Sequence, residues 1–173
     1  MIYTIKKGKH YPTPTQTQKV FIAPKRIILD YKVSFGSDCA YSLPGDDMYD
    51  VNKLFGVSFG HHHQNSERFG WRYNEKLRMM ELLKYSYIDG VRYVKSLQFV
   101  YLNQINHLSL EIYVRLNVID VCYLINNELV YIYERPKPRK FLSTLSYTLG
   151  LYFGGNRTAP HNMTINLIKY QGL

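Results

Sequence analysis

The sequence predicts an all-β protein, an antiparallel β-sandwich or jelly roll with an extended N-terminal arm. Three observations predict it. The dominant hydrophobic period is two rather than 3.6, as in strands with one buried face. Asp89-Gly90 and Asn126-Asn127 are tight-turn dipeptides lying between apolar runs. Aromatics make up 15% of the chain, with 17 Tyr and one Trp, a composition suited to large half-wet sheet faces. At 173 residues, with 46% hydrophobic and 20% charged residues, the chain is one domain able to bury a core, and wholesale disorder is excluded.

Residues 1–25 differ from the rest. Over 10–25 Pro, Thr and Gln alternate with no apolar face, which predicts either an arm held by a partner or a segment packed along the sandwich edge. Ile27, Leu29, Tyr31, Val33 and Phe35 then alternate with polar or outward residues and predict a strand. Segment 74–85 has strong helix formers, yet the Asp-Gly turn after it favours strand. That turn joins strands at 82–88 and 91–100. Leu108, Leu110, Ile112, Val114 and Leu116 line one face of a strand over 108–116, and Asn126-Asn127 joins 120–125 to 128–134. Met163, Ile165 and Leu167 mark the last strand. The total expected is roughly 9–12 strands.

Charge is unevenly distributed. Residues 1–29 carry Lys6, Lys7, Lys9, Lys19, Lys25 and Arg26 with no acid, and 135–173 carry Arg135, Lys137, Arg139, Lys140, Arg157 and Lys169 with none. The stretch between holds the other 10 bases and all 13 acids. Proline keeps Arg135-Pro136-Lys137-Pro138-Arg139-Lys140 extended, so four cations are expected to project from an exposed loop. Together with the basic arm, they predict docking on an acidic protein surface. Cys39 and Cys122 could pair, but two thiols are more often independent buried residues. No apolar run can span a bilayer and no secretory signal opens the chain, so no membrane partner is expected.

No residue set names a reaction. His61 and His63 would share a strand face, but nothing brings His10, His107 or His161 to them, so no metal and no cofactor is expected. Ser66 lacks an elbow motif and a third partner, so no catalytic residue is assigned. Arg68 and Trp71-Arg72 suggest stacking or cation–π contact. Gly154-Gly155-Asn156 reads as a structural reversal, or as a sugar or partner loop with Asn156 and His161 supplying hydrogen bonds. A lectin-like module would present Trp71, Asn156 and His161 to glycan rings. A polysaccharide lyase on the same sandwich would use Tyr, His and Arg for proton chemistry. Nucleic acid is a weak candidate, since the net charge of +9 permits only non-specific phosphate contact.

Two runs, Asn52-Lys53-Leu54-Phe55-Gly56-Val57-Ser58-Phe59-Gly60-His61-His62-His63-Gln64-Asn65-Ser66-Glu67-Arg68-Phe69-Gly70-Trp71 and Tyr152-Phe153-Gly154-Gly155-Asn156-Arg157-Thr158-Ala159-Pro160-His161, carry a resemblance. With the opening Tyr3 to Tyr11, they resemble a group of small concanavalin-like jelly-roll proteins of Bacteroidetes and their crAss-like tailed phages. The resemblance implies a non-enzymatic virion protein assembled in the host bacterial cytoplasm. Such an auxiliary capsid or decoration subunit would bind the major capsid protein or other virion subunits, and a glycan is the alternative partner.

Overall fold

The protein, described from a computed structural model over residues 1–22, 25–138 and 145–170, is an antiparallel β-sandwich of jelly-roll type. Its strands in chain order are β1 (Ile2–Ile5), β2 (Pro12–Thr13), β3 (Val20–Ile22), β4 (Arg26–Phe35), β5 (Asn52–Phe59), β6 (Ser66–Asn74) and β7 (Met79–Ile88). They continue as β8 (Val91–Val100), β9 (Asn106–Val114), β10 (Val118–Ile125), β11 (Glu128–Pro136), β12 (Leu145–Leu149) and β13 (Met163–Lys169). A seven-stranded sheet runs β11-β10-β9-β4-β13-β1-β2, and a six-stranded sheet runs β3-β12-β5-β6-β7-β8. The only helical turns among the described residues are two short 3-10 segments, Ser37–Cys39 and Gly45–Tyr49. No helix there is long and apolar enough to cross a membrane.

The alternation predicted from sequence is what packs the sheets together. Ile27, Leu29, Val33 and Phe35 of β4 lie beside Leu108, Leu110 and Ile112 of β9 and Ile165 and Leu167 of β13, all buried. Facing them from the six-stranded sheet are Leu54, Phe55, Val57, Phe69, Trp71, Met80 and Leu82. Aromatic rings join the layers: Phe35 lies 5.4 Å from Trp71 and Tyr31 lies 4.6 Å from Phe55, centroid to centroid.

Both hairpin turns adopt the positive φ their residues favour, at Asp89 (48°) and Gly90 (84°), and at Asn126 (53°) and Asn127 (67°). The ambiguous 74–85 segment is strand: β6 turns over 75–78, where Arg78 has φ 52° and the Asn74 side chain accepts from Leu77 N at 3.0 Å. One prediction overran. β9 stops at Val114, because Arg115 N bonds Val118 O at 2.9 Å to close a tight turn, leaving Leu116 85% exposed instead of facing the core.

The N-terminal segment is woven into both sheets. β1 pairs with β13 and β2, while β3 pairs with β12. His10 stacks on Tyr152 at 4.8 Å with its Nδ1 2.8 Å from Phe153 O, and Gln16 accepts from Leu151 N at 2.5 Å. Cys39 is buried and Cys122 half-buried, and both are free thiols.

Candidate functional site

β6 alternates strictly, and its two faces divide the chemistry. Inward point Glu67, Phe69 and Trp71; outward point Ser66, Arg68, Gly70 and Arg72. The antiparallel registers Arg68↔Tyr85, Ser66↔Tyr87, Gly56↔Arg68 and Gly56↔Leu149 set Tyr85, Tyr87 and Leu149 on that outer face. Over it lies an open cleft of about 1060 Å³. The arm at Tyr11 and Thr15–Gln18 forms one wall, the 150–156 segment another, and the turn carrying His62 and His63 an end.

Gly56 makes this floor possible. A Cβ there would overlap the Glu67 carbonyl oxygen and come 2.6 Å from Arg68 Cγ, so only glycine lets the arginine stem lie across β5. The Arg68 side chain extends from there to Gly150, donating from Nη2 to its carbonyl at 2.6 Å.

Tyrosines and cations line the cleft. Lys53 Nζ sits 5.0 Å from the Tyr85 ring centroid and 5.4 Å from that of Tyr152, and donates to Gly154 O at 2.8 Å. His62 Nδ1 lies 3.0 Å from Tyr147 OH, and His63 meets the edge of Tyr87 at 5.3 Å. Arg92 on β8 adds a third cation beyond Lys53 and Arg68, whereas Asp50 is the one carboxylate among the lining residues.

The electrostatics follow from burial. Arg68 is 8% exposed, forms none of the ion pairs of the described residues, and its Nε has no hydrogen-bond partner. Burial lowers it to about 10. Lys53 is lowered to about 8, by burial first and then by the Arg68 charge, with Asp50 opposing. His62 is lowered to about 4 by burial and by its cationic and imidazole neighbours, so it is neutral in the ordinary range.

Behind β6 the inner face holds a second polar cluster. Arg135, 1% exposed, donates from Nη1 to Glu67 Oε1 at 2.6 Å and to Tyr87 O at 3.1 Å, and from Nη2 to Asn65 Oδ1. Tyr133 and Tyr123 donate to Glu67 Oε2 at 2.7 and 3.2 Å. Asn65 in turn contacts Asp89, and Gly90 N donates to Gln64 O at 3.0 Å, so this cluster fixes the turn that carries His62 and His63.

Several sequence-derived site residues therefore need correction. Arg135 is not a loop cation but the interior partner of Glu67. Trp71, fully buried against Phe35, Tyr41 and Phe153, is a core residue and is not among those lining the cleft. His161 bonds the Asp38 carbonyl through Nε2 at 2.8 Å and is not among the cleft residues; Asn156 is. His61 and His63 share no strand face, because 61–64 is a turn in which Gln64 N bonds His61 O. The basic extremities are also dispersed. Lys6, Lys7 and Lys9 are exposed beside β1 and β2, whereas Lys137 follows β11 at the opposite edge of the seven-stranded sheet. Lys19 and Lys25 flank β3 and β4, and Arg26 lies 3.6 Å from Glu111 and donates to Tyr113 OH at 3.1 Å. Arg139 and Lys140 lie outside the described residues. Among the described residues no group of three or more His, Cys, Asp or Glu is arranged to hold a metal ion.

Sequence reasoning missed Lys53, Tyr85, Tyr147 and Tyr152 as cleft residues, and gave Arg68 only a stacking role. A signal existed: the β6 alternation places Arg68 opposite Phe69 and Trp71, hence on an outer face.

No family model and no curated protein matches the sequence. Solved structures with similar folds include the alginate lyase from Klebsiella pneumoniae (10% identity, TM-score 0.49), of which this chain spans 59% while 85% of its own length is covered. The carbohydrate-binding module CBM66 from Bacillus subtilis (7%, TM-score 0.41) covers 97% of this chain and is itself 92% covered. Sheep galectin-11 in complex with glycerol (13%, TM-score 0.44) covers 90%, with 98% of its own length matched. At such identities and TM-scores they assign this chain no function.

Proposed function

We propose that the chain is a lectin-like glycan-binding module whose site is the cleft over the six-stranded sheet. The observation that carries this reading is the make-up of the cleft. It is open, lined by Tyr85, Tyr87, Tyr147 and Tyr152, with amide, imidazole and cationic groups among the rings. Pyranose rings present apolar faces edged by hydroxyls, and such ligands are held by aromatic faces interspersed with fixed hydrogen-bonding groups. A glycan array tests the reading. Selective binding that is lost in Tyr147→Ala and Tyr152→Ala and kept in a Tyr49→Ala control on the surface supports it. No binding to any glycan, or binding untouched by the cleft variants, refutes it.

A second reading, a polysaccharide lyase, is favoured by the His62–Tyr147 contact beside Arg68. A neutral imidazole bonded to a phenol is a pair able to move a proton, and a guanidinium can stabilise charge that develops on a substrate. Appearance of ultraviolet-absorbing unsaturated sugar, lost in His62→Ala and Tyr147→Phe, would make the module an enzyme.

A further inference from the structure

Arg68 is a charged group in an unusual position for a free protein. Buried cations are ordinarily paired, because removing a charge from water without a partner is costly. The other deeply buried guanidinium, that of Arg135, obeys the rule through Glu67. Arg68 does not: it has one carbonyl acceptor and no carboxylate, and its Nε, like that of Arg135, has no partner. A second, half-buried cation lies near it, since the Lys53 ammonium is lowered by burial first and then by the Arg68 charge. The fold thus holds two positive charges together at the cleft floor, and Asp50 is the single acid lining the cleft.

We propose that the glycan this cleft takes is acidic, and that a uronate carboxylate of the bound chain is the missing counter-ion of Arg68, with Lys53 as its second cationic neighbour. This rests on the glycan-binding reading and names its ligand class. Guanidinium N–H groups suit a carboxylate, and the burial of Arg68 makes such a charge-assisted bond stronger than one at the surface. A single buried fork beside one ammonium suits one carboxylate per site. A densely sulfated chain would need a row of exposed cations, and Arg92 is the remaining cation of the lining.

Calorimetric titration of the full chain with a soluble polyuronate, the same polymer with its carboxyls reduced to alcohols, and a sulfated polysaccharide tests the proposal. The expected order is polyuronate well above both others. Arg68→Met and Lys53→Met should each weaken polyuronate binding at least tenfold, and Arg92→Gln two- to threefold, as exposed charges contribute little. Arg68→Met should also leave the thermal midpoint unchanged or higher, because it removes an uncompensated buried charge; should that variant fail to fold, Lys53→Met carries the test. Equal binding of the reduced polymer would overturn the proposal while leaving glycan binding intact. Preference for the sulfated chain, no polyuronate binding, or unchanged polyuronate binding in Lys53→Met would also overturn it.

Discussion

Replacing Arg135 with Met separates an interior ion-pair role from a loop-cation role by magnitude. The guanidinium is fully enclosed and satisfies Glu67, the Tyr87 carbonyl and Asn65 together. Removing it strands the Glu67 carboxylate between the sheets with only Tyr123 and Tyr133 as donors. Breaking a buried pair by removing one member costs about 3–5 kcal/mol. With a urea m-value of about 2–3 kcal/mol/M for a chain of this size, the unfolding midpoint should fall by about 1–2.5 M. Burial already raises Glu67 above its ordinary value despite Arg135, and losing the cation raises it further. The folded state then holds a proton that the unfolded chain releases near 4.5. The variant should therefore lose stability more steeply than wild type as pH rises above that value. The double change Glu67→Leu, Arg135→Met should recover much of the loss, since apolar replacement of a whole buried pair is often neutral. Equilibrium urea unfolding followed by Trp71 fluorescence, at several pH values, measures all of this. A change under about 0.5 kcal/mol in Arg135→Met, the size expected of a solvated surface cation, would refute the reasoning.

Other outcomes follow from the same packing. Trp71→Ala should cost about 3–5 kcal/mol, as a large core ring is lost without touching the cleft, and a melt showing a surface-sized effect would contradict its burial. Gly56→Ala should lower stability by about 1–3 kcal/mol and displace the Arg68 stem, so thermal melts and glycan titrations should worsen together. Binding of an acidic glycan should weaken as pH rises through about 8. Lys53 loses its charge there, while an anion bound beside it favours the protonated form, so titrations in buffers of different ionisation enthalpy should show proton uptake. A pH-independent affinity from 7 to 9.5 would exclude Lys53 from the site.

The strands that pack the sandwich were legible wherever one face is dry and the other wet. β4, β9 and β13 alternate because Leu110 or Ile165 must be buried while Glu111 or Thr164 meets solvent, and the Asp-Gly and Asn-Asn turns are local chemistry. The candidate site was much less legible, for a physical reason. β6 is covered on both faces, so the period that marks a half-exposed strand is masked, and Glu67 puts a charge where the pattern calls for an apolar residue. Pairing over long sequence separations decides the rest. Arg135 finds Glu67 68 residues away, and Gln16 finds Leu151 135 residues away. A basic stretch such as 135–140 reads as solvated until that pairing is known. The same pairing explains why the arm is an edge segment: its amides and rings are taken up by β12, β13 and the 150–156 segment.

β6 also ties the two polar clusters to one another. Adjacent residues on a strand project to opposite faces, so Glu67 inside and Arg68 in the cleft are consecutive charges separated by the thickness of the sheet. Left alone, the Glu67 carboxylate would partly neutralise the field that Arg68 presents to a ligand. Arg135 cancels Glu67 from the interior side, leaving the cleft's positive potential to Arg68, Lys53 and Arg92. Arg135 also holds Asn65, whose backbone N–H donates to His61 O at 3.0 Å in the turn that carries His62 and His63. The cleft is therefore sensitive to a residue that never reaches it. An Arg135→Lys change keeps the charge but gives up the fork that spans Glu67 and Asn65, so it should disturb the His62 turn more than the cleft field. Imidazole resonances followed by NMR should shift for His62 and His63 and stay fixed for His161, which bonds Asp38 O and does not line the cleft. Shifts of equal size at all three would mean that the buried pair steadies the sandwich in general and not this end of the cleft.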